Sequence, residues 1–179
     1  PPVPAPAPPN AHARVPPEGA LLWPKPQRHT IGGALLRVDA DAFLFSSGTA
    51  SAVIDATTGV RGSKRPAGTL AGAFERYRAI CFPPTSVVAP NAATGLPVLT
   101  GLEVVVASAD ETLGMDTSEK YSLNIPHAGG NASLTADTVY GAIRGLETFA
   151  QMLQPDLTIL EQSVDDWPRF PFRAVLIDT

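Results

Sequence analysis

Asp137-Thr138-Val139-Tyr140-Gly141-Ala142-Ile143-Arg144-Gly145-Leu146-Glu147-Thr148-Phe149-Ala150-Gln151-Met152-Leu153-Gln154 is the strongest helical pattern in the chain. Val139, Ile143, Leu146, Ala150 and Leu153 recur at three- and four-residue steps, with Arg144, Glu147 and Gln151 opposite. That spacing predicts an amphipathic helix over 137–154, capped by Thr135 or Asp137, whose apolar face covers a sheet. Gly141 and Gly145 stand one turn apart. Each glycine costs about 1 kcal/mol relative to alanine in a helix, so a close approach by another element is the physical reason to expect them.

Working outward, Ala132–Thr135 reads as a short strand and Tyr121–Ile125 as another. Leu102, Val104 and Val106 form one face of a third, expected to pair with Tyr121–Ile125 as a hairpin across the acidic, turn-rich residues 110–119. A second helical stripe is made of Leu70, Ala73, Phe74, Tyr77, Ile80 and Cys81; Thr69 caps its start, and Pro83 and Pro84 stop it. Leu36, Val38, Ala40 and Ala42 alternate with charged residues and run into Phe43-Leu44-Phe45, which reads as one half-buried strand with room for a bulge. Leu21-Leu22-Trp23-Pro24-Lys25-Pro26 is twice interrupted by proline, so it docks as an extended or edge segment. Leu157–Leu160 gives a last strand. The sum is α+β: a mostly antiparallel sheet with two helices on one face, a two-layer sandwich.

The chain has 179 residues and a formal net charge of −4, with an isoelectric point near 5.3, so no basic footprint for nucleic acid is present. No apolar run approaches the 18 or so residues of a membrane span. Cys81 is the single cysteine and reads as a buried hydrophobe. Residues 1–20 form a proline-rich extended lead, and residues 57–68 a basic, glycine-punctuated loop with Arg61, Lys64 and Arg65. Asn131-Ala132-Ser133 is an acceptor triplet for N-glycosylation, relevant in a secretory compartment.

Catalytic constellations are not visible. Asp165 and Asp166 are adjacent, and neighbours on an extended segment point to opposite faces, so they cannot flank one glycosidic bond. Asp110 and Glu111 fail likewise. His12, His29 and His127 have no ligand spacing to one another or to Cys81, so neither a metal nor another cofactor is expected. The ending, Trp167-Pro168-Arg169-Phe170-Pro171-Phe172-Arg173 followed by Ala174-Val175-Leu176-Ile177-Asp178-Thr179, reads as a junction leading into a buried strand that lacks neighbours.

Several segments, in order, resemble the non-catalytic N-terminal domain of the β-N-acetylhexosaminidases, the family 20 glycoside hydrolases. They are Leu22–Gln27, Ala73–Arg78, Glu119–Ile125, Thr138–Gln151 with its Arg-Gly-Leu-Glu-Thr-Phe core, and Asp166–Arg173 with its Pro-Arg-Phe-Pro-x-Arg junction. The resemblance implies a domain over 21–166 packed beside a TIM barrel, with 167–179 as the junction and first strand of a barrel otherwise absent from this chain. It further implies that Arg173 binds hydroxyls of a terminal N-acetylhexosamine. Catalysis would use the substrate's own 2-acetamido group as nucleophile, with an Asp–Glu pair in the barrel. The chain alone would then be inactive, its partner the barrel and its substrate a glycan met through the whole enzyme. The location implied is secreted, lysosomal or vacuolar.

This sequence departs from the family in having Ala174 where glycine usually follows the arginine, and in lacking cysteines that pair in animal relatives. Alternative readings are a non-enzymatic structural or interaction module, and a lone carbohydrate-binding domain using Arg173 with Trp167, Phe170 and Phe172. For Arg173 itself the alternative is an interdomain salt bridge.

Overall fold

The computed structural model describes residues 22–48, 53–54, 68–83, 95–108, 110–170 and 173. The proline lead, the basic loop as far as Ala67, and the strand expected after Arg173 lie outside them. In chain order the elements are β1 (Arg28–Val38), β2 (Leu44–Ser47), β3 (Val53–Ile54), α1 (Thr69–Cys81), β4 (Val98–Val106), β5 (Tyr121–Ile125), β6 (Gly130–Ala136), α2 (Val139–Met152) and β7 (Thr158–Asp166).

The strands form one sheet in the order β1-β7-β5-β6-β4-β2-β3, and the end of β1 also meets the start of β4. The architecture is α+β, but the sheet is mixed where a mostly antiparallel one was expected. β4 runs parallel to β2, to β6 and to the end of β1, while β1–β7, β5–β7, β5–β6 and β2–β3 are antiparallel.

The reason lies in which hairpin forms. Pro126–Gly129 closes β5 onto β6, with Gly129 and Gly130 at φ 83° and 86°, a left-handed region that glycine enters without strain. β6 therefore stands between β5 and β4, and the expected β4–β5 hairpin does not form. Residues 107–108 and 118 instead lie against the end of β6. Ala107 and Ser108 donate their N–H groups to Ala136 O and Asp137 O, and Thr138 Oγ1 donates to Ser118 O at 2.6 Å.

Cross-strand register sorts the two faces. Val104, Leu134, Leu123 and Val164 form one continuous buried row, and Val105, Thr135, Ser122 and Asp165 form the next row on the opposite, open face. Both helices cover the buried side: Phe45 of β2 stacks on Phe74 of α1 at 5.7 Å and meets Phe149 of α2 edge-on at 6.3 Å.

The expected single strand over Leu36–Phe45 is two strands. β1 begins upstream at Arg28 and carries a register shift between Ile31 and Leu35. Asp39 Oδ1 accepts Ala42 N–H, and Arg78 of α1 donates to Ala40 O and Phe43 O, so this turn is pinned from the helix layer.

The helices correct three further expectations. Thr69 is the first residue of α1, not its cap; the Glu111 carboxylate accepts from Thr69 N at 3.0 Å and from Thr69 Oγ1 at 2.7 Å, closing that end from outside. Ile80 is exposed, and Ala73, Phe74, Tyr77 and Cys81 make the contact face. For α2 the cap is Thr138, whose Oγ1 accepts from Tyr140 N and Gly141 N, in place of Thr135 or Asp137.

The buried face of α2 is Val139, Gly141, Ala142, Gly145, Leu146, Phe149 and Met152. Ile143, Ala150 and Leu153 pack at its flank. The face turns toward the glycines because a Cβ on Gly141 would stand 2.5 Å from Lys120 O, and one on Gly145 2.3 Å from Leu134 Cδ1. Their absent side chains let α2 lie directly on β5 and β6, the close approach that the glycine pair required.

Candidate functional site

β7 and the segment after it carry the residues singled out from the sequence. Asp165 and Asp166 do face opposite ways. Asp165 Oδ1 accepts the Ser122 hydroxyl at 2.5 Å on the open face, while Asp166 on the helix side accepts Gln27 N–H at 3.1 Å and the Tyr121 hydroxyl at 3.5 Å. Tyr121 also meets Thr148 Oγ1 at 2.6 Å, so β5, β7, α2 and the extended N-terminal segment join in one polar contact. Burial pushes the Tyr121 phenol up to about 12.

The segment after Leu21 docks as expected: Leu22 is buried, and the Trp23 N–H donates to Gln151 Oε1 of α2 while Gln151 Nε2 donates back to Trp23 O, both at 2.8 Å. The Trp23 ring itself stays 81% exposed, and Phe170 is 67% exposed. Trp167 packs under the Arg28 guanidinium at 5.6 Å, a cation–π contact, whereas the Phe170 ring has no such contact among the described residues. Phe172 lies outside the described residues.

Arg173 is half-exposed and folds back onto the domain. Its Nη1 donates to Phe170 O at 2.7 Å and its Nη2 pairs with Glu119 Oε2. The other oxygen of the same carboxylate, Glu119 Oε1, accepts from Arg144 Nη2 at 2.9 Å and Nε at 3.2 Å. The Glu119 side chain is only 17% exposed.

The position of Glu119 follows from backbone packing. Residues 119–120 press against the first turn of α2 at Gly141, and Arg144 stands one turn further along. The sequence reading placed Arg144 on the outer helix face and gave Glu119 no role; the close approach required by Gly141 was the one signal pointing to this contact.

Asn131 lies at the start of β6 on the open face, exposed, with its Oδ1 accepting from Thr100 Oγ1 at 3.0 Å. Ser133 shares that face two residues on.

Several further titratable groups have structural partners. His29 meets Gln162 Oε1 at 2.8 Å. His127 meets Glu161 Oε2 at 3.1 Å, and this contact, with the Ala34 N–H, lowers the Glu161 carboxyl. Glu147 accepts from Tyr77 and Gln151. Burial, foremost, holds the Cys81 thiol up at about 12, far from a reactive thiolate. Among the described residues no three His, Cys, Asp or Glu gather as metal ligands, and no helix is long and apolar enough to cross a membrane.

A family described as beta-acetyl hexosaminidase like matches residues 22–152. Beta-hexosaminidase subunit A1 of Dictyostelium discoideum is 31% identical over 161 residues, covering 87% of this chain and 26% of the relative. Beta-hexosaminidase subunit beta of Felis catus is 33% identical over 169 residues, covering 90% of this chain and 30% of the relative. The chain thus spans under a third of the length of these relatives. In fold it is similar to the Flavobacterium johnsoniae chitobiase, with a TM-score of 0.58 at 20% identity, over 88% of this chain and 22% of that one.

Proposed function

The chain belongs to the beta-acetyl hexosaminidase-like family, as the N-terminal domain of family 20 glycoside hydrolases, and from that premise we propose that it is the non-catalytic part of an exo-β-N-acetylhexosaminidase. In this reading residues 21–166 are the domain, 167–179 are its junction to a TIM barrel, and the barrel carries the Asp–Glu pair that works with the substrate's 2-acetamido group. The observation that carries it is the family match over residues 22–152, together with relatives named for the activity of whose length this chain covers under a third.

Two features of the structure support this division of labour. Asp165, Asp166, Glu119, Glu147 and Glu161 each hold a hydroxyl, an amide or a cation of the domain itself. Trp23 and Phe170 leave large apolar rings in water, surface that the proposed barrel would cover. Arg173 is the residue proposed to reach the sugar hydroxyls.

Incubating the isolated 179 residues with an aryl N-acetyl-β-glucosaminide tests the reading. No turnover is expected, and turnover would show that catalysis needs nothing beyond them. Reading the transcript past Thr179 is the complement: an open frame continuing into a barrel with an adjacent Asp–Glu supports the enzyme, and an early stop leaves a non-enzymatic module. Secretory expression with glycosidase treatment tests a glycan on Asn131 and a secreted, lysosomal or vacuolar location together; a mass unchanged by the treatment counts against both.

A further inference from the structure

We propose that Glu119 is the positioning residue for Arg173, anchored by Arg144 so that the guanidinium is held in one orientation before sugar arrives. The inference rests on the reading of Arg173 as a sugar contact. Its physical basis is the way one carboxylate is divided: Oε1 takes two donors from Arg144, and Oε2 takes Arg173 Nη2. Glu119 is itself fixed, because its backbone lies against Gly141 and its side chain is 17% exposed. An arginine on a flexible stem loses rotamer freedom when it binds a neutral polyol, and a partner that holds it beforehand removes that cost.

The donor count leaves capacity for a ligand. A guanidinium carries five N–H groups in a planar fork. Arg173 gives one from Nη1 to Phe170 O and one from Nη2 to Glu119. Among the described residues nothing else takes up Nε–H or the second N–H on each terminal nitrogen, so these three remain for hydroxyl oxygens. Two arginines share one carboxylate, so the cluster keeps a net positive charge and Arg173 stays a charge-assisted donor instead of being neutralised. Gly141 thereby has an indirect role, since it is the close backbone contact at 119–120 that sets Glu119 beside Arg144.

The test uses the full-length enzyme of the proposed reading, with 4-nitrophenyl N-acetyl-β-glucosaminide as probe. Wild-type hydrolysis is the control for that reading; without it the reading and this inference fall together. Given hydrolysis, Glu119→Gln turns an acceptor into a possible donor facing a cation and should raise KM about tenfold or more, with kcat changed less than about threefold, the signature of lost uniform binding. Glu119→Asp should fall between the two. In an Arg173→Lys background, Glu119→Gln should add less than about twofold, because coupled residues are not additive. An unchanged KM in Glu119→Gln, or a full-sized effect in the Arg173→Lys background, overturns the proposal. Should Glu119→Gln fail to fold, an unchanged KM in Glu119→Asp overturns it equally.

Discussion

Alanine at Gly141 and alanine at Gly72 are the same substitution in two helices of one chain, and the structure assigns them opposite signs. On helix propensity alone each gains about 1 kcal/mol. Gly72, on the exposed side of α1, has nothing within 4 Å of an added Cβ, so that gain stands at about 0.5–1 kcal/mol. At Gly141 the Cβ meets Lys120 O at 2.5 Å, Glu119 C at 3.1 Å and Lys120 C at 3.2 Å. Those atoms are backbone, and restoring a contact of about 3.5 Å means moving the entry to β5 by about 1 Å. Lys120 O also accepts Asp137 N–H, so that shift pulls on the link into α2. Overpacking costs about 1–3 kcal/mol, and rigid backbone sits at the upper end, leaving a net loss near 2 kcal/mol once helix propensity is subtracted. Urea unfolding followed by circular dichroism measures both. With a slope of about 2 kcal/mol per molar, Gly141→Ala should lower the midpoint by about 1 M while Gly72→Ala raises it slightly. A Gly141→Ala midpoint at or above that of the parent chain would refute the close-contact argument.

Thr138→Ala removes the acceptor for Tyr140 N and Gly141 N and the donor to Ser118 O; thermal melting should report a loss of about 1–2 kcal/mol, and Thr138→Ser should restore most of it. Phe149 is fully buried, 5.6 Å from the Phe43 ring and 6.3 Å from Phe45. Phe149→Ala should cost about 3–5 kcal/mol in the same urea assay, and a loss below about 1 kcal/mol would mean that the aromatic cluster is not packed as described. Tyr77 and Tyr121 are held at about 12, mainly by burial. The unfolded chain releases these protons near the ordinary phenol value of about 10 and the folded one retains them, so stability is full below pH 10 and falls as pH rises toward 12. Absorbance at 295 nm should show both rings ionising late, and a titration complete by pH 10 contradicts their burial.

Local pattern carried the elements much better than it carried their pairing. Tyr121–Ile125 is β5 to the residue, because alternating apolar side chains and flanking turn residues are local facts. The β4–β5 hairpin misread follows from the same locality: proximity in sequence favours adjacent pairing, whereas β6 was positioned by the glycine turn at 129–130 and took the place beside β4. The α2 face was misjudged for a related reason. Hydrophobic periodicity gives glycine no weight, so the stripe runs through Val139, Ile143, Leu146, Ala150 and Leu153, although the surface nearest the sheet also takes in Gly141 and Gly145. Capping failed where the partner was remote: Glu111 reaches Thr69 across 42 residues of sequence, and no window along α1 contains it.

The candidate site shows the same limit more sharply. Arg173 is legible only through resemblance, and the strand expected after it names no partner for it. Glu119 lies 54 residues from Arg173 and 25 from Arg144, separations with no periodicity that a single sequence could reveal. What brings Glu119 and Arg144 together is the packing of α2 on the entry to β5, and that packing depends on glycine at 141. A glycine in a helix was readable as a demand for closeness without saying closeness to what. The structure supplies the answer as the backbone of Glu119 and Lys120. If that contact is what fixes the carboxylate, Gly141→Ala should loosen Arg173 as well as the fold, so its stability loss and its KM effect in the full-length enzyme should appear together. A variant that loses about 2 kcal/mol of stability yet leaves KM untouched would separate the packing of the domain from the placement of its arginine.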